Sequence, residues 1–492
     1  MKRLALIAWL GELFCLAAAG FAGEVDSVLQ QAMELEEAGD FAKADALLSG
    51  ALAGSGLSGG ERRQVAFEQE RLVRVRKDYG VSKAALLEAL EQSVRSLTQA
   101  EFEQWVGKGW FDGRVIDGKL CFVSASVANL YFRHPELEAR RLKPTDTRAK
   151  ERAYLENARS IRRAAARRRR PYVLPKRFHV TMSVTVASNA VAAGELVRAW
   201  LPVPRRCPFQ DQFELLRAAP PKAQIADADS PIRSVFLEQA VPAAGPVRFE
   251  VEYEYTACGV WFNLEADRAK AADLGDAELK RFTAEGPHLA FTRRLRELSE
   301  SVAGGEANPL RKAKLFYEWI AQNIRYSFAR EYSTLRNLSD YCLTNRYGDC
   351  GQEALLFMAL CRLNGIPARW QSGWTIFPGD QNLHDWCEIY VPPYGWVPVD
   401  PYMGICATQI ARTLKPSERL ELRDFYFGGL SQYRLIANSD YCQELWPPKR
   451  SFRSDTVDFQ RGEVEAGDRN VYFDQFNYAL KWREVALPKR GK

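Results

Sequence analysis

Hydrophobic positions change their spacing twice along the chain. In "VLQQAMELEEAGDFAKADALLSGALA", within residues 25–53, apolar residues recur at helical spacing on both sides of Gly39-Asp40, which predicts a helical hairpin. "GSGLSGG" reads as a loop, and charged helices follow to about Gly107. "RVIDGKLCF" predicts a two-residue β-hairpin turning at Asp117-Gly118. More helix ends in "IRRAAARRRR" and Pro171. From about residue 176 the period becomes two. Val180, Met182, Val184 and Val186 alternate with His179, Thr181, Ser183 and Thr185, and Phe249, Val251, Tyr253 and Tyr255 alternate with Glu250, Glu252 and Glu254. Residues 176–262 are therefore expected to form an antiparallel sheet or sandwich. Helical spacing returns over about 276–325, a mixed region runs to 410, and aromatic-rich strand patterns fill 411–492.

The ends and the charge narrow the picture. Lys2 and Arg3 precede an apolar stretch, Leu4 to Phe21, followed by small residues, with cleavage expected near Ala19 or Ala22. This predicts a signal peptide over 1–22, an exported (periplasmic or extracellular) protein and no transmembrane segment in the mature chain. The net charge of +6 over 492 residues is small and interspersed, which argues against a nucleic-acid partner. The basic run at 161–170 reads as a solvated helix face. Ten cysteines, nine of them beyond the signal, fix no disulfide pairing, and none has zinc-ligand spacing with histidine.

The chemistry centres on "YGDCGQEALLFMALC" (347–361). Asp349 and Gln352 have capping-box spacing, and Gly365 with Pro367 supplies a stop, so a helix is expected from about Cys350 to Asn364. Its body is apolar on every side and must be buried, leaving only the first turn near solvent. Cys350 stands on that turn. The helix dipole there is expected to lower a thiol's pKa, and free N–H groups can hold an oxyanion. Cys361, deep in the apolar body, is expected to be inert.

A thiol nucleophile needs a base, and only four histidines are present. His179 sits on the polar face of a strand, while His134 and His288 flank prolines without other signals. His384 opens "HDWCEIYVPPYGWVPVDP", two strands joined by a turn at Pro392–Gly395. A turn there brings Asp400 opposite residues 384–386, and the even separation puts His384 and Asp400 on one face. Whether that pair meets Cys350 is a tertiary matter that local spacing leaves open.

Together these stretches resemble the core of the transglutaminase-like superfamily, related to papain-like cysteine proteases: Gly-Asp-Cys heading a helix, then Gly-Ile-Pro-Ala-Arg, an aromatic-flanked glycine, His-x-Trp and Gly-Trp-x-x-x-Asp. "LFYEWIAQNIRYS" is similar to the helix before that core. The resemblance implies a core (276–410) with a central helix packed on an antiparallel sheet, and the periodicity adds an N-terminal helical region (24–175), a β-sandwich-like domain (176–262) and a C-terminal β-rich extension (411–492), an α+β fold. It implies Cys350 as nucleophile, His384 as general base and acid, and Asp400 as the group orienting the imidazole. Tyr326, Trp374 and Trp386 are candidates for the second oxyanion donor or the substrate lining. No cofactor or metal is expected, since no acidic cluster is similar to the calcium sites of animal transglutaminases. The expected chemistry is attack on an amide of a protein or peptide through a thioester, with hydrolysis favoured over transfer to an amine. A non-catalytic binding or scaffold role is the competing class.

Overall fold

The computed structural model describes residues 24–243 and 245–487, so the signal segment expected over 1–22 lies outside the described residues. Backbone contacts divide the chain into two compact units. The first holds residues up to Arg76 together with Arg114–Leu120. Its helices Glu24–Glu37 and Phe41–Ala53 form the expected hairpin, with Gly39 at φ +84° in the turn. A third helix, Gly59–Asp78, begins in this unit, and the unit buries Ala32, Phe41, Ala44, Leu48, Val65 and Leu72. Asp117 (φ 47°) and Gly118 (φ 80°) make the tight turn between Gly113–Ile116 and Lys119–Phe122, both in the left-handed region that such a turn requires.

The second unit holds the rest. Two five-stranded antiparallel sheets make a β-sandwich. One contains Tyr172–Val186, Val247–Trp261, Gln210–Ala219, Phe476–Val485 and Gly429–Leu430, and the other Leu196–Pro202, Ser234–Ala240, Ala223–Ile225, Glu463–Ala466 and Arg469–Val471. The alternating apolar positions face inward, so Val180, Met182 and Val184 share a core with Val197, Leu201, Val251 and Tyr253. Each such side chain contributes about 1.5–3 kcal/mol on burial. The sandwich is not closed by residues 176–262 alone. Strands from the last sixty residues pair with Leu196–Pro202 and Tyr172–Val186, so the C-terminal stretch completes this layer and does not stand apart as an extension.

A third, four-stranded antiparallel sheet runs in the order Gly395–Val399, Asp380–Val391, Ala368–Phe377, Arg434–Asn438. Against it lies the helix Cys350–Leu363, capped by Asp349 and buried from Gly351 to Arg362. The capping box forms as expected: the Gln352 N–H donates to the Asp349 carboxylate at 3.1 Å, and the Asp349 N–H to Gln352 Oε1 at 3.3 Å. The chain leaves the helix through Gly365 at φ +71°. Val397, Val399, Cys387 and Ile389 are all buried on the core face, the side on which the period-two pattern puts them. The architecture is α+β, and the second unit buries separate apolar clusters around the central helix and inside the sandwich.

Candidate functional site

Cys350 is half-buried at the head of the central helix, with its side chain over the sheet. His384 lies on Asp380–Val391, opposite Gly373 of the neighbouring strand. In the hairpin register Cys387 pairs with Val399, which carries Asp400 alongside Trp386, on the face of His384. The result is a hydrogen bond of 2.8 Å between His384 Nε2 and Asp400 Oδ2. A carboxylate on Nε2 fixes the ring tautomer and leaves Nδ1 as the nitrogen able to take a proton. Cys350, His384 and Tyr326 line one cavity of about 40 Å³, walled also by Tyr154, Thr375 and Tyr402.

Asp400 is fully buried and has three partners on two oxygens. Oδ2 accepts from His384 and from Arg434 Nη2 at 2.7 Å, and Oδ1 accepts from the Met403 N–H at 3.0 Å, capping the short helix Pro401–Ile405. Burial pushes its pKa up, but His384, Arg434 and the Met403 N–H outweigh that and hold it below the usual carboxylate range. His384 goes the other way. Burial, with Arg434 nearby, keeps the imidazole below its ordinary value despite Asp400. Arg434 has no local signal in the sequence, since it follows Asp400 by several helical segments and arrives on an added strand. Gly373 lets that strand in: a Cβ there would stand 1.9 Å from the Leu435 carbonyl oxygen.

The thiol behaves differently from the expectation of a lowered pKa. Burial, then Asp385 and Asp349, push Cys350 well above the ordinary thiol value. Desolvation and two adjacent carboxyl groups act on the thiol in the opposite sense to the helix-end dipole. Its hydrogen bond goes to Asp385 Oδ2 at 3.5 Å and not to His384. Asp385 occupies a core-facing position of its strand, next to His384 in sequence but on the other face. A carboxyl group at a core position is the signal that could have singled it out. Tyr332 donates to Asp349 at 2.8 Å and stands 3.1 Å from Asp385, while Gln460 Nε2 reaches Asp385 Oδ1 at 2.6 Å and the His384 carbonyl at 3.0 Å. Burial raises Asp349 to about 6, and burial with Asp458 and Asp349 raises Asp385 well above the carboxylate range.

The aromatic candidates separate. Tyr326 lines the cavity, edge-on to Tyr402 at 5.0 Å. Trp374 lies in the sandwich core, its N–H donated to the Gln460 carbonyl at 3.0 Å. Trp386 is fully buried and donates to Gln371 Oε1 at 2.7 Å. Both indole donors are committed elsewhere. Cys361 is buried and its thiol is pushed well up by burial alone, in keeping with an inert residue. The nine cysteines of the described residues are all free. Among the described residues no group of three or more histidine, cysteine or acidic side chains has the geometry to hold a metal ion.

The Transglutaminase-like superfamily model matches residues 296–401, a span that contains Cys350, His384 and Asp400. Over that span the chain is similar to the transglutaminase-like superfamily. The chain is 28% identical over 134 residues to the uncharacterised protein YebA of Bacillus subtilis, covering 23% of this chain and 18% of that protein. It is 26% identical over 150 residues to an uncharacterised Haemophilus influenzae protein, covering 25% of this chain and 40% of that one. The chain thus spans well under half the length of these relatives. Among solved structures, a candidate cysteine protease from Cytophaga hutchinsonii aligns at 17% identity and TM-score 0.40, over 64% of this chain and 92% of that one. The periplasmic domain of TgpA from Pseudomonas aeruginosa aligns at 14% identity and TM-score 0.25, over 47% of this chain and 98% of that one. Likenesses at these scores add nothing to the reading of function. Among the described residues no helix is long and apolar enough to cross a membrane.

Proposed function

We propose that this transglutaminase-like core carries out thiol-dependent acyl transfer at amide bonds of proteins or peptides, with water as the favoured acceptor. The observation that supports it is the His384–Asp400 hydrogen bond of 2.8 Å beside a cavity shared with Cys350. In this reading Nδ1 of His384 takes the thiol proton as Cys350 sulfur attacks the carbonyl carbon. The oxyanion rests on the Cys350 N–H at the helix end and on the Tyr326 hydroxyl. His384 then returns the proton to the departing nitrogen, leaving a thioester. A water, deprotonated by the same imidazole, releases the acid and restores the thiol. With burial pushing the Cys350 thiol up, the proton moves during attack in this reading and no standing thiolate is needed.

Water is favoured as acceptor because it is in vast excess at an exported site, and transfer to an amine needs water to be excluded. The N-terminal pattern supports action outside the cytoplasm, and N-terminal sequencing of the mature protein is expected to start between residues 20 and 23.

The test is a glutamine-containing peptide incubated with the protein, with and without a primary amine. Ammonia release is expected with little amine incorporation. Cys350→Ser or His384→Ala is expected to lower the rate by about a thousandfold or more. Undiminished activity in Cys350→Ser sinks the proposal, and dominant amine incorporation reverses the choice of acceptor.

A further inference from the structure

We propose that Asp385 is a positioning residue that holds the Cys350 thiol in a resting posture, turned from His384, and that catalysis requires the S–H to leave this carboxyl for the imidazole. This rests on the catalytic reading above, and it adds a residue to which that reading gives no role. Three observations carry it. The thiol's hydrogen bond runs to Asp385 Oδ2 at 3.5 Å although His384 lines the same cavity. The carboxyl is itself fixed, Oδ1 by Gln460 Nε2 at 2.6 Å and Oδ2 beside the Tyr332 hydroxyl at 3.1 Å. And the chain makes room for it: a Cβ on Gly351 would meet Tyr332 Oη at 2.1 Å and Asp385 Oδ2 at 2.7 Å. A glycine directly after the cysteine is what allows a strand carboxyl to reach the helix tip.

The titratable groups facing Asp385 are Asp349 and Cys350 from the helix end, Tyr326 and Tyr332 from the segment upstream and Asp458 from the C-terminal loop. His384 is on the far face of the same strand. Tyr332 has one hydroxyl proton, yet its oxygen lies within hydrogen-bond distance of both Asp349 and Asp385. Asp458 sits against Asp385 and is held by Asn438 Nδ2 at 3.0 Å. Burial, with Asp458 and Asp349 close by, favours the protonated form of Asp385. A neutral Asp385 can still accept the weak S–H donor through an oxygen lone pair. The posture therefore does not depend on Asp385 being charged.

The test reads alkylation of Cys350 by iodoacetamide across pH, which needs no turnover. Freed from its acceptor in Asp385→Ala, the thiol can pair with His384, and alkylation at pH 7 is expected to rise about tenfold, equivalent to a midpoint about one pH unit lower. Asp385→Asn, whose amide oxygen can still accept the S–H, is expected to stay near the native rate. Asp385→Ala combined with His384→Ala is expected to lose the gain, since the gain runs through the imidazole. A native pH profile in folded Asp385→Ala overturns the proposal. So does an equal gain in Asp385→Asn, or a gain that survives without His384, which would mean mere exposure. If Asp385→Ala does not fold, Tyr332→Phe decides in its place: a smaller rise supports the proposal and an unchanged rate overturns it. A protein that shows the alkylation pattern but no amide turnover keeps this inference and loses the catalytic reading. The reverse outcome loses this inference alone.

Discussion

At the scale of single residues, Asp400 carries the most weight. Its two oxygens join an imidazole, a guanidinium and a backbone N–H drawn from separate stretches of the chain. Removing the guanidinium leaves a buried carboxylate short of one charge partner, which costs about 3–5 kcal/mol in comparable cases. Arg434→Met is expected to lower stability by that order in urea unfolding. Arg434 also holds the His384 pKa down, so its loss raises that pKa and leaves less neutral base at a given pH. The acidic limb of kcat/KM is then expected to move to higher pH in any folded Arg434→Met protein. The place of Cys350 at a helix head and the pairing of His384 with Asp400 were legible in the sequence because each is marked locally, by a cap, a strand period and a hairpin register. Arg434, Gln460 and Asp458 were not, because only tertiary folding brings their segments to the site.

At the scale of elements, two glycines set how closely strand and helix approach the site. At Gly373 the obstacle to a side chain is the Leu435 backbone carbonyl at 1.9 Å, which cannot rotate away. At Gly351 the obstacles are side-chain ends, Tyr332 Oη at 2.1 Å and Asp385 Oδ2 at 2.7 Å, whose displacement costs hydrogen bonds but moves no backbone. Gly373→Ala is thus expected to destabilise more than Gly351→Ala, by about 1–3 kcal/mol or more, measured as the difference in urea midpoints. It should also displace Arg434, since the strand Arg434–Asn438 is the one forced outward. The central helix was readable to within a residue from its cap and stop signals. The irregular register between Ser372 and Gly373 was not, because a bulge answers to its neighbour strand and leaves no mark on the local period.

At the scale of the whole molecule, the buried carboxyls shape stability against pH. Burial raises Asp349 to about 6, and raises Asp455 to about 7, with Asp458 adding to the latter. Between an unfolded value near 4 and those values, folding takes up protons. Their unfavourable contribution is complete above the folded pKa and fades as pH falls through it. His134, His288 and His384 are depressed by burial, His288 to about 4, and oppose this below about 6.5. Asp385, Asp458 and Glu353 are raised as well, so the carboxyls outnumber the imidazoles. The urea midpoint is expected to climb from pH 8 to about pH 5 and to fall below pH 4, where depressed carboxylates such as Asp400 are protonated. The sequence pattern foretold the sandwich but not its completion from residues beyond 428, because strand partners distant in sequence share no local signal. Truncation after residue 410 is therefore expected to give a chain without cooperative unfolding by circular dichroism, since all three large sheets lose strands.

The late arrival of Arg434 also bears on the protein's synthesis. A chain made from its N-terminus has the thiol, the imidazole and the carboxylate in hand well before the strand Arg434–Asn438 exists. Until that strand docks, the carboxylate lacks its cation and the imidazole lacks a settled partner. A ribosome-bound chain halted before residue 434 is thus expected to leave Asp400 without the guanidinium that it meets in the finished fold.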